Sequence, residues 1–376
     1  MARASHPLSI SVVLLLLTAG CSDSANTGQT DAAVPRWSGA VDLVIDSING
    51  RNEEHGVVAG LAADRAGRLF VADSQHDVVS AFDSTGRFLY SIGRGGSGPG
   101  EFKNPCCLVI DEQGTLWLRD TGNDRHNHYV VSNTAGRFAG QVPTSAAGYP
   151  APLTLDMAGR LIDIGAFGEN GLVRSHVDST GRVTAIDSIA APPEDSPGRR
   201  RVAQGSSTSY LYQPYGPSFL VAHAPGGGWA RGVSSHYLLQ WIVDGDTAHT
   251  LTIRRDMIGP ALSARERTAA NAELAGAAAR LGLTGTAIPF GVPGSKTPVR
   301  DIMFDQQGRL WVELNVADGQ VNRADVYDKS GKRVANAEWP GDVDLSRGFI
   351  ADRIGYGFRR DSSGVSTVVR VRFRQL

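Results

Sequence analysis

The chain has 376 residues, with 37 basic against 38 acidic side chains and a formal net charge of −1. That balance excludes a protein whose affinity comes mainly from a basic surface gripping nucleic acid. With 45 glycines, 20% charged residues and three cysteines, the composition points to a turn-rich β protein held by an apolar core and not by a disulfide framework.

Residues 1–20 read as a secretory signal: Arg3 supplies the positive start, Leu8 to Leu17 the apolar run, and Thr18-Ala19-Gly20 the small residues before Cys21. The apolar run is shorter than the roughly 20 residues of a permanent spanning helix. The string Leu17-Thr18-Ala19-Gly20-Cys21 resembles a bacterial lipobox, departing from its commonest form at Thr18. That resemblance implies cleavage before Cys21 and acylation of its thiol and new α-amine. Ser22 follows where an Asp would favour retention at the inner membrane, which leans the expected address toward the outer membrane. Residues 21–36 are polar and aperiodic, as expected of a flexible tether, and 37–376 are expected to form the exported, lipid-anchored domain.

Further along, one pattern recurs: an apolar run, Asp-x-x-Gly, a basic residue or Thr, then another apolar run. It occurs at Asp64, Asp111, Asp156 and Asp305, and a second copy follows each time, at Asp83, Asn133, Asp178 and Asp328. The Asp or Asn side chain folds onto the backbone two residues on, and Gly supplies the positive φ that closes a hairpin. Two hairpins make a four-stranded unit, and units repeat at propeller-blade intervals. They are expected at 57–92, 105–142, 152–189, 217–253 (where Ala224-Pro225-Gly226-Gly227-Gly228 replaces the first turn) and 299–339. A last unit, Gly348 to Phe373, holds three strands, and Val41 to Ile45 is a spare strand that would complete it. The expected fold is all-β: a six-bladed β-propeller with a short helical insertion, 254–298, between blades four and five.

The string Gly98-Pro99-Gly100-Glu101-Phe102-Lys103-Asn104-Pro105 resembles the inter-blade connection of NHL-repeat propellers. Leu108-Val109-Ile110-Asp111 and Leu116 to Arg125 resemble the blade that follows it. The sequence departs from that pattern at Cys106-Cys107 and at His126-Asn127-His128. The resemblance implies a fold, not a function.

In such a blade the tight turns share one face, while second–third-strand loops and inter-blade connections share the other. The long segments Gly93–Pro105, Ala190–Gly216 and Arg254–Pro298 all belong to the second set, so ligand binding is expected on that face. Within the last segment, Ser263-Ala264-Arg265-Glu266 has the capping-box pattern and Gly282 is a stop, with Leu274, Ala278 and Leu281 on one face. Arg199-Arg200-Arg201 reads as a solvated basic run in a loop.

The candidate channel-mouth residues are His55, His76, Cys106, Cys107, Asp120 and His126. The adjacent cysteines form either a strained disulfide ring or two buried thiols. No histidine pair has a local metal spacing such as H-E-x-x-H, although a propeller gathers ligands from separate blades. Gly93-x-Gly95-x-x-Gly98 meets the dinucleotide fingerprint by letter, yet Pro99 and Pro105 forbid the helix that would hold a pyrophosphate, so no nucleotide cofactor is expected. Asp120 to Arg125 lacks the ligand alternation of a calcium loop and reads as structural. Two functional readings follow. The first is a binding or scaffold module for a peptide, glycan or protein ligand on the long-loop face; the alternative is a hydrolase, lactonase or lyase using a divalent metal at the channel mouth.

Overall fold

The computed structural model describes residues 34–46, 55–144, 153–156, 158–168, 171–178, 180, 182–189, 198–204, 207–243, 249–283, 288–360 and 366–376. The signal segment and Cys21 lie outside the described residues. Four four-stranded antiparallel sheets follow one another along the chain. They are β2 (Val58–Ala63) to β5 (Phe88–Ile92), β6 (Pro105–Ile110) to β9 (Gly136–Pro143), β10 (Thr154–Leu155) to β13 (Val183–Ile189), and β16 (Phe219–His223) to β19 (Thr250–Arg254). An eight-stranded sheet follows: β20 (Val299–Phe304) to β23 (Arg333–Trp339), then β1 (Arg36–Ile45), β26 (Ser366–Gln375), β25 (Ile354–Arg360) and β24 (Asp344–Ala351).

The hairpins form for the reason their residues suggest. At Asp83, Asp111, Asp156, Asp178, Asp305 and Asp328 the Oδ1 accepts the backbone N–H groups two and four residues on, at 2.7–3.1 Å. Gly67, Gly86, Gly114, Gly159, Gly308 and Gly331 take φ of 75–85°, which a Cβ would oppose. One turn differs from expectation. It is built on Ser132, whose Oγ accepts the Ala135 N–H at 3.1 Å, and not on Asn133.

Strand β1 pairs antiparallel with β26, Val41 opposite Val371 and Ile45 opposite Val368. Its first residues also run parallel to β23, Arg36 to Ser38 against Asn336 to Glu338. The N-terminal strand therefore covers two edges that would otherwise be open to another chain. Trp37 anchors it, buried against Trp311 with the Arg309 and Arg353 guanidinium groups 5.1 and 5.9 Å from its ring centre.

Among the described residues, five apolar cores each lie between one sheet and the next, and a sixth lies between the two halves of the eight-stranded sheet. Phe70, Leu116 and Leu118 fill the gap between the first two sheets. Ile45, Phe82, Tyr356 and Val368 fill the gap between the last sheet and the first. Core packing thus runs around a closed ring, with β2 beside β6 and β24, and β20 beside β16 and β24.

Two elements stand outside the ring. The segment expected as loop contains a hairpin, β14 (Arg199–Gln204) and β15 (Ser207–Tyr212), so the Arg199–Arg201 run is part of a strand, with Arg199 stacked 4.7 Å from the Tyr210 ring centre. Helix α1 (Ala264–Arg280) follows β19; Ser263 caps it, and Glu266 closes the reciprocal bond.

Candidate functional site

The innermost strands begin on the face that carries the second–third-strand loops. A polar residue at the end of the second strand clamps the chain entering each of four sheets. Asp73 accepts the Gly56 N–H at 2.7 Å, Asp120 the Lys103 N–H at 2.8 Å, and the Ser234 hydroxyl the Ser218 N–H at 2.8 Å. Asn315 donates to the Thr297 carbonyl at 2.9 Å. Just past three of these clamps the inner strands break register, β2 between Val58 and Gly60, β6 between Cys106 and Val109, and β20 between Val299 and Asp301; β24 does so between Asp344 and Phe349. Bulges re-aim side chains and gather at barrel rims and working sites. Here they turn residues toward the mouth of the ring.

Both insertions lie over this face. Leu211 and Val202 of the hairpin pack on Leu274 and Ala278 of α1. The start of α1 is tied to the β21–β22 loop (β21 is Leu310–Leu314, β22 Asn322–Tyr327): Arg265 and Ser263 bond Asp318, while Lys296 pairs with Glu266 at 2.5 Å and donates to the Val316 carbonyl at 2.7 Å.

A polar cleft of about 440 Å³ opens between the starts of β20 and β24, lined by Arg300, Asp301, Asp342, Asp344, Ser346 and Phe358. Arg300 occupies the bulge, and Asp301 stands opposite Glu313 across the β20–β21 pairing, so the two carboxyls leave the same face of the sheet. Gly357 is required at the back wall, where a Cβ would meet the Asp344 carbonyl oxygen at 2.2 Å. Glu313 is buried; its Oε1 accepts from Arg300 at 2.8 Å and its Oε2 has no hydrogen-bond partner among the described residues. Burial pushes its carboxyl up to about 8, Arg300 opposing and the charges of Asp301 and Asp344 reinforcing the shift. Asp344 accepts from the Ser346 N–H and hydroxyl at 2.9 and 2.6 Å, and Asp342 pairs with Arg359 at 2.9 Å.

None of the residues singled out from sequence lines this cleft. Asp73, which sequence reading passed over, holds the His76 Nδ1 at 3.1 Å; His76 is about one-third exposed, at 31%. His55 lies behind it, fully buried, 4.0 Å from Asp73, with neither ring nitrogen hydrogen-bonded among the described residues. Burial pushes His55 down to about 4, against the pull of the Asp73 carboxylate. Asp120 is fully buried and is consumed by Lys103, Asn123 and Arg125, so it is part of the wall. His126 is also fully buried, 3.5 Å from Asp163, which bonds Arg119 and the Thr144 hydroxyl. Burial alone would raise the Asp163 carboxyl; His126, Arg119 and Thr144 instead hold it well below the carboxylate range.

Cys106 and Cys107 are disulfide-bonded to each other and buried in the core between the second and third sheets. Cys107 takes φ +60°, and Gly60 of β2 leaves the space its backbone needs, since a Cβ there would stand 2.7 Å from the Cys107 nitrogen. Among the described residues, no three His, Cys, Asp or Glu side chains converge in a way that could hold a metal ion. The β20–β24 cleft was missed from sequence. Its one local signal is a charged residue, Glu313, inside the apolar run Leu310-Trp311-Val312-Glu313-Leu314.

Residues 61–124 match a family described as a 6-bladed beta-propeller. No curated protein matches the chain. Among solved structures, a DUF4221-family protein from Bacteroides vulgatus superposes with a TM-score of 0.52 at 10% identity, covering 91% of this chain and 99% of its own. Streptogramin B lyase aligns at 8% identity and a TM-score of 0.45, covering 90% of this chain and 98% of its own. Virginiamycin B lyase from Staphylococcus aureus aligns at 9% and 0.42, covering 90% and 99%. The chain is therefore all-β and propeller-like. The two lyases are too distant in backbone to bear on its chemistry.

Proposed function

We propose that the chain is a six-bladed, NHL-like β-propeller, exported and anchored through acylated Cys21, that binds a peptide, glycan or protein ligand through its long-loop face. One observation carries this reading: the β14–β15 hairpin and α1 pack on each other above the same rim where four inner strands are bulged. A rigid ring with its irregular segments gathered at one end is a scaffold for recognition. Among the described residues no helix is long and apolar enough to cross a membrane.

The face is tested by placing a photo-crosslinking residue at Tyr212, 61% exposed on the hairpin, and at Arg87, 76% exposed in a tight turn at the other end. Biotinylated peptide and glycan probes should label the protein at Tyr212. Labelling at Arg87 alone would overturn the assignment. In the same preparation Cys21→Ala should move the protein from the membrane to the soluble fraction.

A further inference from the structure

We propose that the cleft between β20 and β24 is a subsite for a neutral, polyhydroxylated ligand, a sugar unit, held between the Arg300 guanidinium and the Asp344 carboxylate beside the Phe358 ring. This rests on the long-loop face being the binding face and names the ligand class for one part of it. The cleft's volume, about 440 Å³, falls within the roughly 300–1,000 Å³ of small-molecule sites.

The donor and acceptor set decides the class. Arg300 only donates and the aspartates only accept, and both kinds line one small cavity. A cation would be set against Arg300, and an anion against Asp301, Asp342 and Asp344. A hydroxyl does both jobs, giving a proton to a carboxylate and a lone pair to a guanidinium, so a neutral polyol satisfies the set without stranding a charge. Asp344 is poised for this. Ser346 holds its Oδ1 from two donors, and its other oxygen has no hydrogen-bond partner among the described residues. Phe358, opposite Asp344 in the β24–β25 pairing and almost wholly buried, closes that side of the cleft with apolar surface.

Glu313 is the second, independent sign. It lies directly behind the lining residue Arg300: a buried carboxyl with one oxygen on Arg300 and the other without a hydrogen-bond partner among the described residues is an unfilled position next to the cleft. The charged groups facing it are Arg300 and Asp301 from β20 and Asp344 from β24, with neutral Asn322 of β22 touching Arg300 at 3.5 Å. Since burial pushes Glu313 up to about 8, it is mostly protonated at neutral pH and accepts the Arg300 hydrogen bond without pairing its charge. Above that pH an ionised Glu313 draws Arg300 to itself.

The test uses the mature chain on an array of immobilised neutral oligosaccharides, with the same sugars free in solution as competitors, and with spermidine and citrate as cationic and anionic probes. Retention on neutral glycans, competed by the free sugar and reduced about tenfold or more in Asp344→Asn and Arg300→Gln, supports the proposal. Arg65→Ala, in an exposed turn at the other end, should bind as wild type. Glu313→Gln should keep its binding at pH 9, where wild type weakens. If Asp344→Asn unfolds, Phe358→Leu replaces it, with the same loss expected. Glycan binding untouched by these substitutions overturns the cleft while leaving the long-loop face intact. Retention of only spermidine or only citrate overturns the ligand class. Labelling confined to Arg87 in the crosslinking experiment overturns the face itself.

Discussion

The two ends of the ring use acidic residues in opposite ways. At the turn end each Asp holds the backbone two and four residues on: Asp111 accepts the N–H groups of Gln113 and Thr115, and Asp305 those of Gln307 and Arg309. At the mouth the carboxyls act at a distance. Asp73 reaches back 17 residues to Gly56, and Glu313 meets Arg300 across a strand pairing with one oxygen unused. A locally saturated carboxylate can only hold a turn. A buried one that is half satisfied beside an open cleft has bonding capacity left for something else, so the two ends divide stability from recognition.

The largest effect that would break this division is loss of ring closure. Removing residues 36–45 uncovers the edges of β23 and β26 and strips Trp37 and Ile45 from their cores. Burial of two such side chains and the strand bonds predicts a loss on the order of 5 kcal/mol, read as a lower urea midpoint and a tendency to aggregate. An unchanged midpoint would show that β1 is dispensable to the ring.

Next in size is the pH dependence from Glu313. Its carboxyl is near 8 when folded against an ordinary 4.5, so between those values the folded protein holds a proton that the unfolded chain has lost. The Glu313 contribution therefore favours the folded state most at low pH and is lost progressively from about pH 4.5 to about 8. Glu313→Gln should remove that slope, raising stability at pH 8 by on the order of 2 kcal/mol, as seen in chemical unfolding at several pH values. His55 has the opposite sign. At about 4 when folded against an ordinary 6.5, it costs stability as pH falls through that window, because the unfolded chain takes the proton first. His55→Leu should flatten the acid limb, by roughly 1–2 kcal/mol at pH 4. If both variants titrate as wild type, the buried groups of the mouth are better solvated than their partners imply.

The smallest effect belongs to the turn end. Gly159 has φ +75° and open space around it, so Gly159→Ala isolates the backbone penalty of the left-handed region, about 1–2 kcal/mol. Ligand retention should not change. A loss of binding in this variant, with the fold intact, would blur the separation between the two ends.

Much of the fold was legible in the chain because its signals are local. An Asp with a Gly three residues on specifies a hairpin wherever it falls, and alternating apolar runs around it specify strands. The same locality made the capping box at Ser263 and Glu266 readable, since both bonds lie within one helical turn. Tertiary structure decided the rest. The β14–β15 hairpin carries no Asp-x-x-Gly turn, and its Leu211 finds a partner only in a helix some sixty residues on. Asp120 and His126 have the residue types of a site, but packing seals both inside the wall. Arg300, Asp344 and Phe358 come from three different strands of the eight-stranded sheet, and Glu313 behind Arg300 comes from a fourth; the cleft forms where the bulged β20 and β24 lie side by side. Turn chemistry depends on residues a few positions apart and can be read from the chain. A cleft depends on which strand lies against which, and that is settled only when the ring closes.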